Sequence, residues 1–452
     1  MPKNPSCSHK PASRSRTVQL AGRSLTQAPL FTNAGYLMAI EVINTLVGFL
    51  FWGLAARLYQ PAEVGTATAA LSAMALVSGI AGLGIGDGIV RFLPEAQVGD
   101  VMVNTAFTLV VMTGLLIGSL FLAGLPVWSP SLLVLRRSGP ALIGFLLFST
   151  TMTLNAAVRS IFLAHRRALY AFIQATVVNA VRMSLVAVLA GIRTAGLLLS
   201  VGLGFFLALA LSLAILLPRL QPHYRFRPQL NLSVLGLVLP FSMGNHMAGV
   251  LAQSSRMLLP LAILEMLGPA SSGHAYIAWM LGSFLTTPGL ALAASAFAEG
   301  ANAPHDSARI VTKAMAVGFL LTSGAALFLG VGAPWLLLLF GRTYAQESAG
   351  LLRWLAVAGP LTVVTQLYFT HLRVQKRLRS LILGSAVVAV VTLSISFWLM
   401  PRFGIAATGM GWAVGNSLVA VGGLARVGRP GTGRELASKL GRVLPRIVIQ
   451  RQ

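Results

Sequence analysis

Apolar runs of roughly 20 residues recur along almost the whole chain, and that length is what a helix needs to cross a bilayer's hydrocarbon core. Lipid offers no partner to a free backbone amide, so runs of this kind must be helical. The placement is about 34–56, 64–86, 101–125, 140–164, 170–190, 194–217, 234–262, 272–298, 310–333, 349–370, 381–400 and 405–425. A break at Gly191–Thr194 divides the fifth run from the sixth. Only 10% of the 452 residues are charged and 56% are hydrophobic. A soluble domain carries nearer a quarter charged residues and could not bury so much apolar surface in one core.

The net charge of +24 would suggest nucleic acid in a soluble protein. Here it reads as topology, because lysine and arginine concentrate in cytoplasmic segments. With the N-terminus inside, 24 of the 34 basic residues fall on inner segments, seven on outer ones and three within helices. That bias predicts a bacterial inner-membrane protein with both termini cytoplasmic and no nucleic-acid partner. It also divides the chain. A basic tail covers 1–33, a six-helix bundle 34–217, a cytoplasmic linker 218–233, a second bundle 234–425 and a second basic tail 426–452. The last tail either lies on the anionic inner leaflet or is solvated. The single cysteine, Cys7, supports neither a disulfide framework nor a metal site.

The two halves carry related segments. Pro61-Ala62-Glu63-Val64-Gly65 and Pro269-Ala270-Ser271-Ser272-Gly273 share P-A-x-x-G, each at the start of a helix, where proline is comfortable. Ala164-His165-Arg166-Arg167 is matched with His371-Leu372-Arg373. Six helices per half give both halves the same orientation, a repeat about an axis along the membrane normal. The expectation is an all-α polytopic protein of about twelve helices in two six-helix bundles related by pseudo-two-fold symmetry.

Ionisable groups in a membrane helix are costly and mark function by default. Arg182 lies near the middle of the fifth run, and Arg256 in the outer half of the seventh. Asn179 and Gln253 stand three residues before them and so share their faces. Gln174 accompanies the first pair; Asn245, His246, Ser254 and Ser255 accompany the second. Such faces predict either a cationic cavity between the halves, suited to phosphate, or arginines that pair with Glu41 or Asp87. Glu41 and Asp87 are also the candidates for coupling to H+ or Na+. Arg159 and Asp87 are close enough to the surface to reach it. His246 reads as a hydrogen-bonded core histidine. No H-E-x-x-H, G-x-S-x-G or Walker sequence is present, and ten acids in all leave no paired carboxylates, so no enzyme is expected. The glycine-rich stretch 79–88 suits helix packing or a hinge better than a dinucleotide loop.

Residues 48–96 resemble the polysaccharide-transporter, O-antigen-flippase-like branch of the multidrug/oligosaccharidyl-lipid/polysaccharide (MOP) exporter superfamily. The likeness rests on Ala55-Ala56-Arg57-Leu58-Tyr59, Pro61 to Gly65, Gly82-Leu83-Gly84 and Arg91-Phe92-Leu93-Pro94. It implies a MATE-like layout and export of a polyprenyl-diphosphate oligosaccharide by alternating access, in polysaccharide biosynthesis. Membrane lipids, a glycan polymerase and glycosyltransferases are the implied partners, and no cofactor is implied. Arg57 and Arg91 carry over only as motif matches, with structural roles open to both. The scarcity of intramembrane acids departs from an ion-coupled pattern. Alternatives are an ion-coupled multidrug or metabolite antiporter on the same fold, a membrane glycosyltransferase or polymerase, and an assembly scaffold.

Overall fold

The computed structural model describes residues 14–95, 99–222, 224–302 and 307–427, with side chains from Thr32 onward. The outer parts of both basic tails, Cys7 and the side chain of Asn245 lie outside the described residues.

The fold is all-helical. In the first half α1 spans Arg14–Leu58, α2 Pro61–Ala81, α3 Gly99–Trp128, α4 Gly139–Ala164, α5 Ala168–Val188 and α6 Arg193–Leu211. In the second, α7 spans Leu232–Leu267, α8 Pro269–Ser283, α9 Ser307–Val331, α10 Arg342–Val374, α11 Leu378–Phe403 and α12 Ala406–Val427. Eleven of these segments are long and apolar enough to cross a membrane. The twelfth, α12, is long enough but rich in glycine, and the reason is packing. A Cβ on Gly411 or Gly415 would run into the α11 backbone at Thr392 and Val388, and one on Gly409 into Trp354 and Leu351 of α10. Small residues let membrane helices approach closely.

The chain is a multi-pass membrane protein. Counting α12 as a twelfth crossing, α1 begins and α12 ends on one face, called the tail face; the opposite face is the far face. Two helices extend toward the tail face after a break. Beyond α2, Gly84 takes a left-handed conformation (φ 70°) before a short helix at Ile85–Phe92. Beyond α8, a tight turn at Phe284–Thr286 leads into a helix at Thr287–Asn302. The expected run 272–298 passes straight through the second break, whereas the first falls in the glycine-rich stretch 79–88, read from sequence as helix packing or a hinge.

Each bundle is built in the same way. In the first, α1 packs on α5, α5 on α6, and α2 on α4 and α6; in the second, α7 packs on α11, α11 on α12, and α8 and α9 on α10. Contact between the bundles runs mainly through α2 against α7 and α8. The P-A-x-x-G segments explain that seam, because each proline opens its helix and each glycine faces the other segment's backbone. A Cβ on Gly65 would collide with the Pro269 carbonyl, and one on Gly273 with the Pro61 carbonyl. The contact is reciprocal, as a local two-fold axis requires.

Backbone conformation extends the repeat and corrects one part of it. The α4–α5 turn pivots on Arg166 (φ 56°) and the α10–α11 turn on Lys376 (φ 56°). The α5–α6 turn ends on Arg193 (φ 54°, ψ −136°) and the α11–α12 turn on Gly404 (φ 55°, ψ −141°). So 164–167 corresponds to 374–377, not to the His371 segment. His371 is still inside α10 and buried, where no left-handed residue can sit.

The linker is tied to the first bundle by three polar side chains of α3, chiefly Asn104. Asn104 on α3 donates to Arg225 O at 3.3 Å and accepts from Tyr224 Oη at 2.8 Å and Arg227 N at 3.1 Å. Thr108 and Thr105 accept from Gln229 N and Asn231 N at 3.0 and 3.2 Å. Burial pushes the Tyr224 phenol up, and nearby Asp100 adds to this, so it stays a neutral donor to Asn104.

Candidate functional site: a central cavity with an arginine

The far face is closed. Beside the Gly65–Gly273 contact, Glu265 at the end of α7 accepts from Ser129 Oγ at 2.7 Å and from Ser131 Oγ at 3.0 Å and its amide at 3.1 Å. Arg57 donates through Nε to Leu339 O at 3.0 Å. Phe49 of α1 meets Phe284 and Phe340 edge-on, at 5.9 and 5.6 Å between centroids. Trp52 lies against Tyr276 at 4.5 Å.

At this seam lies a cavity of about 290 Å³. Arg256 of α7, Tyr276 and Trp279 of α8, Thr362 of α10 and Trp412 of α12 line it, and Ser72 of α2 reaches in from the other bundle. The Arg256 guanidinium stands over the Trp412 ring at 5.5 Å, a contact that offsets part of the cost of holding a cation there. Among the described residues no carboxylate pairs with it; the two ion pairs are Arg91–Glu95 (2.7 Å) and Arg193–Glu63 (3.8 Å). Trp412 and Trp279 meet edge-on at 5.3 Å, and Trp412 Nε1 donates to Thr362 Oγ1 at 3.1 Å. The walls therefore offer a bidentate donor fork, indole and phenol faces, and hydroxyls.

Arg182 is placed differently. Its Nη2 donates to Asn179 Oδ1 at 2.5 Å, and its guanidinium covers the Phe51 ring at 5.4 Å. Asn179 in turn donates to Asn44 Oδ1 and to Ala175 O, both at 2.8 Å. Arg182 does not line the cavity. Gln174 is buried and donates to Asn155 Oδ1 at 2.9 Å, within the first bundle. Gln253 lines a second cavity of about 300 Å³ toward the tail face, together with Asp87, His246 and Gly249. Glu41 is exposed on α1 and forms no ion pair among the described residues. Arg91 is held by Glu95 and lies against Phe92, and Arg159 is half-buried on α4.

Reasoning from charge missed Ser72, Tyr276, Trp279 and Trp412. A signal existed on α8, where Ser272, Tyr276, Trp279 and Ser283 recur at helical spacing and so share one face.

The site thus lies in an all-helical membrane fold of two pseudo-symmetric bundles, in a cavity of the second bundle that the first touches through Ser72. A family model described as "Polysaccharide biosynthesis protein" matches residues 30–258, half of the chain, and the chain belongs to that family. The fold is similar to that of a multidrug resistance MATE family transporter of the MOP superfamily in its inward-facing conformation. That match has 15% identity, covers 89% of this chain and 96% of the other, and has a TM-score of 0.70. The outward-facing conformation of such a transporter matches at 15% identity over 91% and 96%, with a TM-score of 0.63. A MOP superfamily transporter from Pyrococcus furiosus, for which a binding pocket of reverse polarity is described, matches at 14% identity over 91% and 96%, with a TM-score of 0.63. A sequence comparison with curated proteins finds no match.

Proposed function

We propose that the protein is a flippase that moves a lipid-linked oligosaccharide, carried on a polyprenyl diphosphate, from the cytoplasmic to the outer leaflet of a bacterial inner membrane. The tail face is then the cytoplasmic one, in keeping with the loop charges. The observation that carries this reading is Arg256. It is a guanidinium without an acidic partner among the described residues, in a cavity of aromatic rings and hydroxyls. A fork of donors suits the two oxygens of a phosphate, and flat rings suit the apolar faces of a sugar. Organic cations would meet the wrong charge.

Transport follows from the closed far face. The diphosphate settles against Arg256 while the lipid tail stays in the bilayer. The bundles then rock, which separates the Gly65–Gly273 contact and releases the Glu265–serine and Arg57–Leu339 contacts. Cargo shifts the equilibrium only if its contacts differ between the two states. Glycosyltransferases and a glycan polymerase would supply and consume the cargo. Asp87 and His246 share a cavity, which favours it over Glu41 as the site of any coupling H+ or Na+; an ion-coupled antiporter is the second reading.

The test is flipping of a labelled polyprenyl-diphosphate oligosaccharide in vesicles containing purified protein, with and without a pH or sodium gradient. Flipping in wild type, lost in Arg256→Ala and partly kept in Arg256→Lys, is the expected result. No flipping by wild type, with efflux of an organic cation in its place, would establish the antiporter.

A further inference from the structure

The two turns that pivot on Arg166 and Lys376 occupy equivalent places, yet their surroundings differ. In the first bundle the turn is filled. Asn33 of α1 accepts from the Ala168 amide at 3.1 Å, the His165 ring meets the Gln221 side chain at 3.3 Å, and Tyr36 packs on Phe172 at 5.7 Å. In the second bundle the corresponding turn borders a cavity of about 510 Å³. Gly249 of α7 and Phe297 beyond α8 form one wall, and Leu378 and Leu381 of α11 another. Arg373 and Lys376 stand at its edge, both exposed.

Neither cation has an acidic partner among the described residues. The neighbouring cavity, lined by Arg309 and Lys313, also holds Glu299, which offsets its charge. The Arg373–Lys376 cavity has an apolar body and a doubly cationic rim. Basic pockets between helices on the cytoplasmic side suit lipid head groups. At Gly249 a Cβ would meet nothing within 4 Å, so the space is open on the α7 side as well. Gly249 also borders the cavity of Asp87, His246 and Gln253, and Gln253 lies one helical turn from Arg256.

We propose that this cavity is a binding site for the phosphate of a membrane lipid, with Arg373 and Lys376 as its ligands and the acyl or prenyl chain along Phe297, Leu378 and Leu381. Two lipids carry that chemistry, the diphosphate-linked cargo of the flippase reading and an anionic phospholipid. The first would make the cavity an entry station ahead of Arg256, and that part rests on the proposed function. The second would make it a head-group site independent of transport.

The test measures binding of undecaprenyl diphosphate, dioleoylphosphatidylglycerol, dioleoylphosphatidylcholine and inorganic phosphate to the full chain in detergent, by native mass spectrometry. Arg373→Gln with Lys376→Gly removes both charges, and glycine suits the left-handed φ, so folding is undisturbed. Gly249→Leu fills the space without removing charge. Arg309→Gln with Lys313→Gln is the control in the neighbouring cavity, and Arg256→Ala the control for transport. Loss of two surface cations should weaken the favoured lipid about thirtyfold. Gly249→Leu should weaken it too, while the Arg309/Lys313 control stays within about twofold, a difference worth under half a kcal/mol; Arg256→Ala is read for transport alone, because it removes a phosphate ligand at the other cavity. Loss confined to undecaprenyl diphosphate assigns an entry station; loss of phosphatidylglycerol assigns a head-group site. Unchanged binding of both lipids in the double variant, equal binding of phosphatidylcholine, or inorganic phosphate bound as well as the lipids would overturn the proposal. Arg256→Ala failing to flip while keeping lipid at this cavity would leave the two proposals separate.

Discussion

The two bundles repeat one another in backbone and diverge in what they hold. Gly65 and Gly273 play the same part, and Arg166 and Lys376 share a φ of 56°. Their arginines do not match. Arg182 is braced by Asn179 and Phe51, whereas Arg256 projects into the cavity over Trp412. The tail-face turns differ in the same sense, filled by Asn33 and Gln221 in the first bundle and open in the second. The first bundle serves as a frame, and the second carries the space and the exposed charge. Under the proposed function, symmetry would supply the two-state motion and its local breaking the binding surface.

The largest expected effect tests the symmetric part. Gly65→Val drives a side chain into the Pro269 carbonyl, and overpacking of this kind costs about 3 kcal/mol. Thermal unfolding in detergent should show a large fall in melting temperature, and Gly273→Val should match it. A mild effect from either would mean that the seam is not shared equally.

Next comes the arginine pair. Arg256→Ala should lower flipping by more than about tenfold, the worth of one charge-assisted hydrogen bond, and leave melting unchanged. Arg182→Ala should lower flipping by no more than about threefold, under 1 kcal/mol, because Arg182 is held by Asn179 and Phe51 and does not line the cavity. Equal losses would erase the distinction between the bundles.

Smaller effects concern connections that only one bundle has. Asn104→Ala strips the linker of a donor and a double acceptor and should destabilise the chain by roughly 1–3 kcal/mol. Limited proteolysis at 221–231 should speed up correspondingly. Glu265→Gln weakens the hold on Ser129 and Ser131 by about 1 kcal/mol, so a cysteine placed at Ser131 should label faster from the far face. Smallest is Lys376→Gly, where relief of a left-handed non-glycine residue stabilises by about 1 kcal/mol, and Arg166→Gly should do the same.

Much of the frame was legible because hydrophobic length is a direct demand of the bilayer. The split at Gly191–Thr194 falls where the backbone turns at Ala190–Ile192. Pro61-to-Gly65 and Pro269-to-Gly273 were readable because a two-fold contact stamps the same small residues on both partners. The His371 alignment failed because the repeat there is carried by a dihedral angle, borne once by arginine and once by lysine. Side-chain direction was also hard to read. In a helix that is apolar on all sides, periodicity does not say which face meets a cavity. Gln174, with the same composition cue as Gln253, turned into its own bundle toward Asn155. Trp279 and Trp412 escaped notice because, in sequence, a cavity aromatic looks like a lipid-facing one.

The central claim is that phosphate meets Arg256 in the second bundle's cavity, at its seam with the first. A polyprenyl-diphosphate analogue with a photoreactive group beside the diphosphate tests it most directly. Irradiation in vesicles and peptide mapping should place the cross-links on segments carrying Arg256, Tyr276, Trp279 and Trp412, and Arg256→Ala should abolish them. Cross-links confined to lipid-facing helices, or undiminished in that variant, would contradict it.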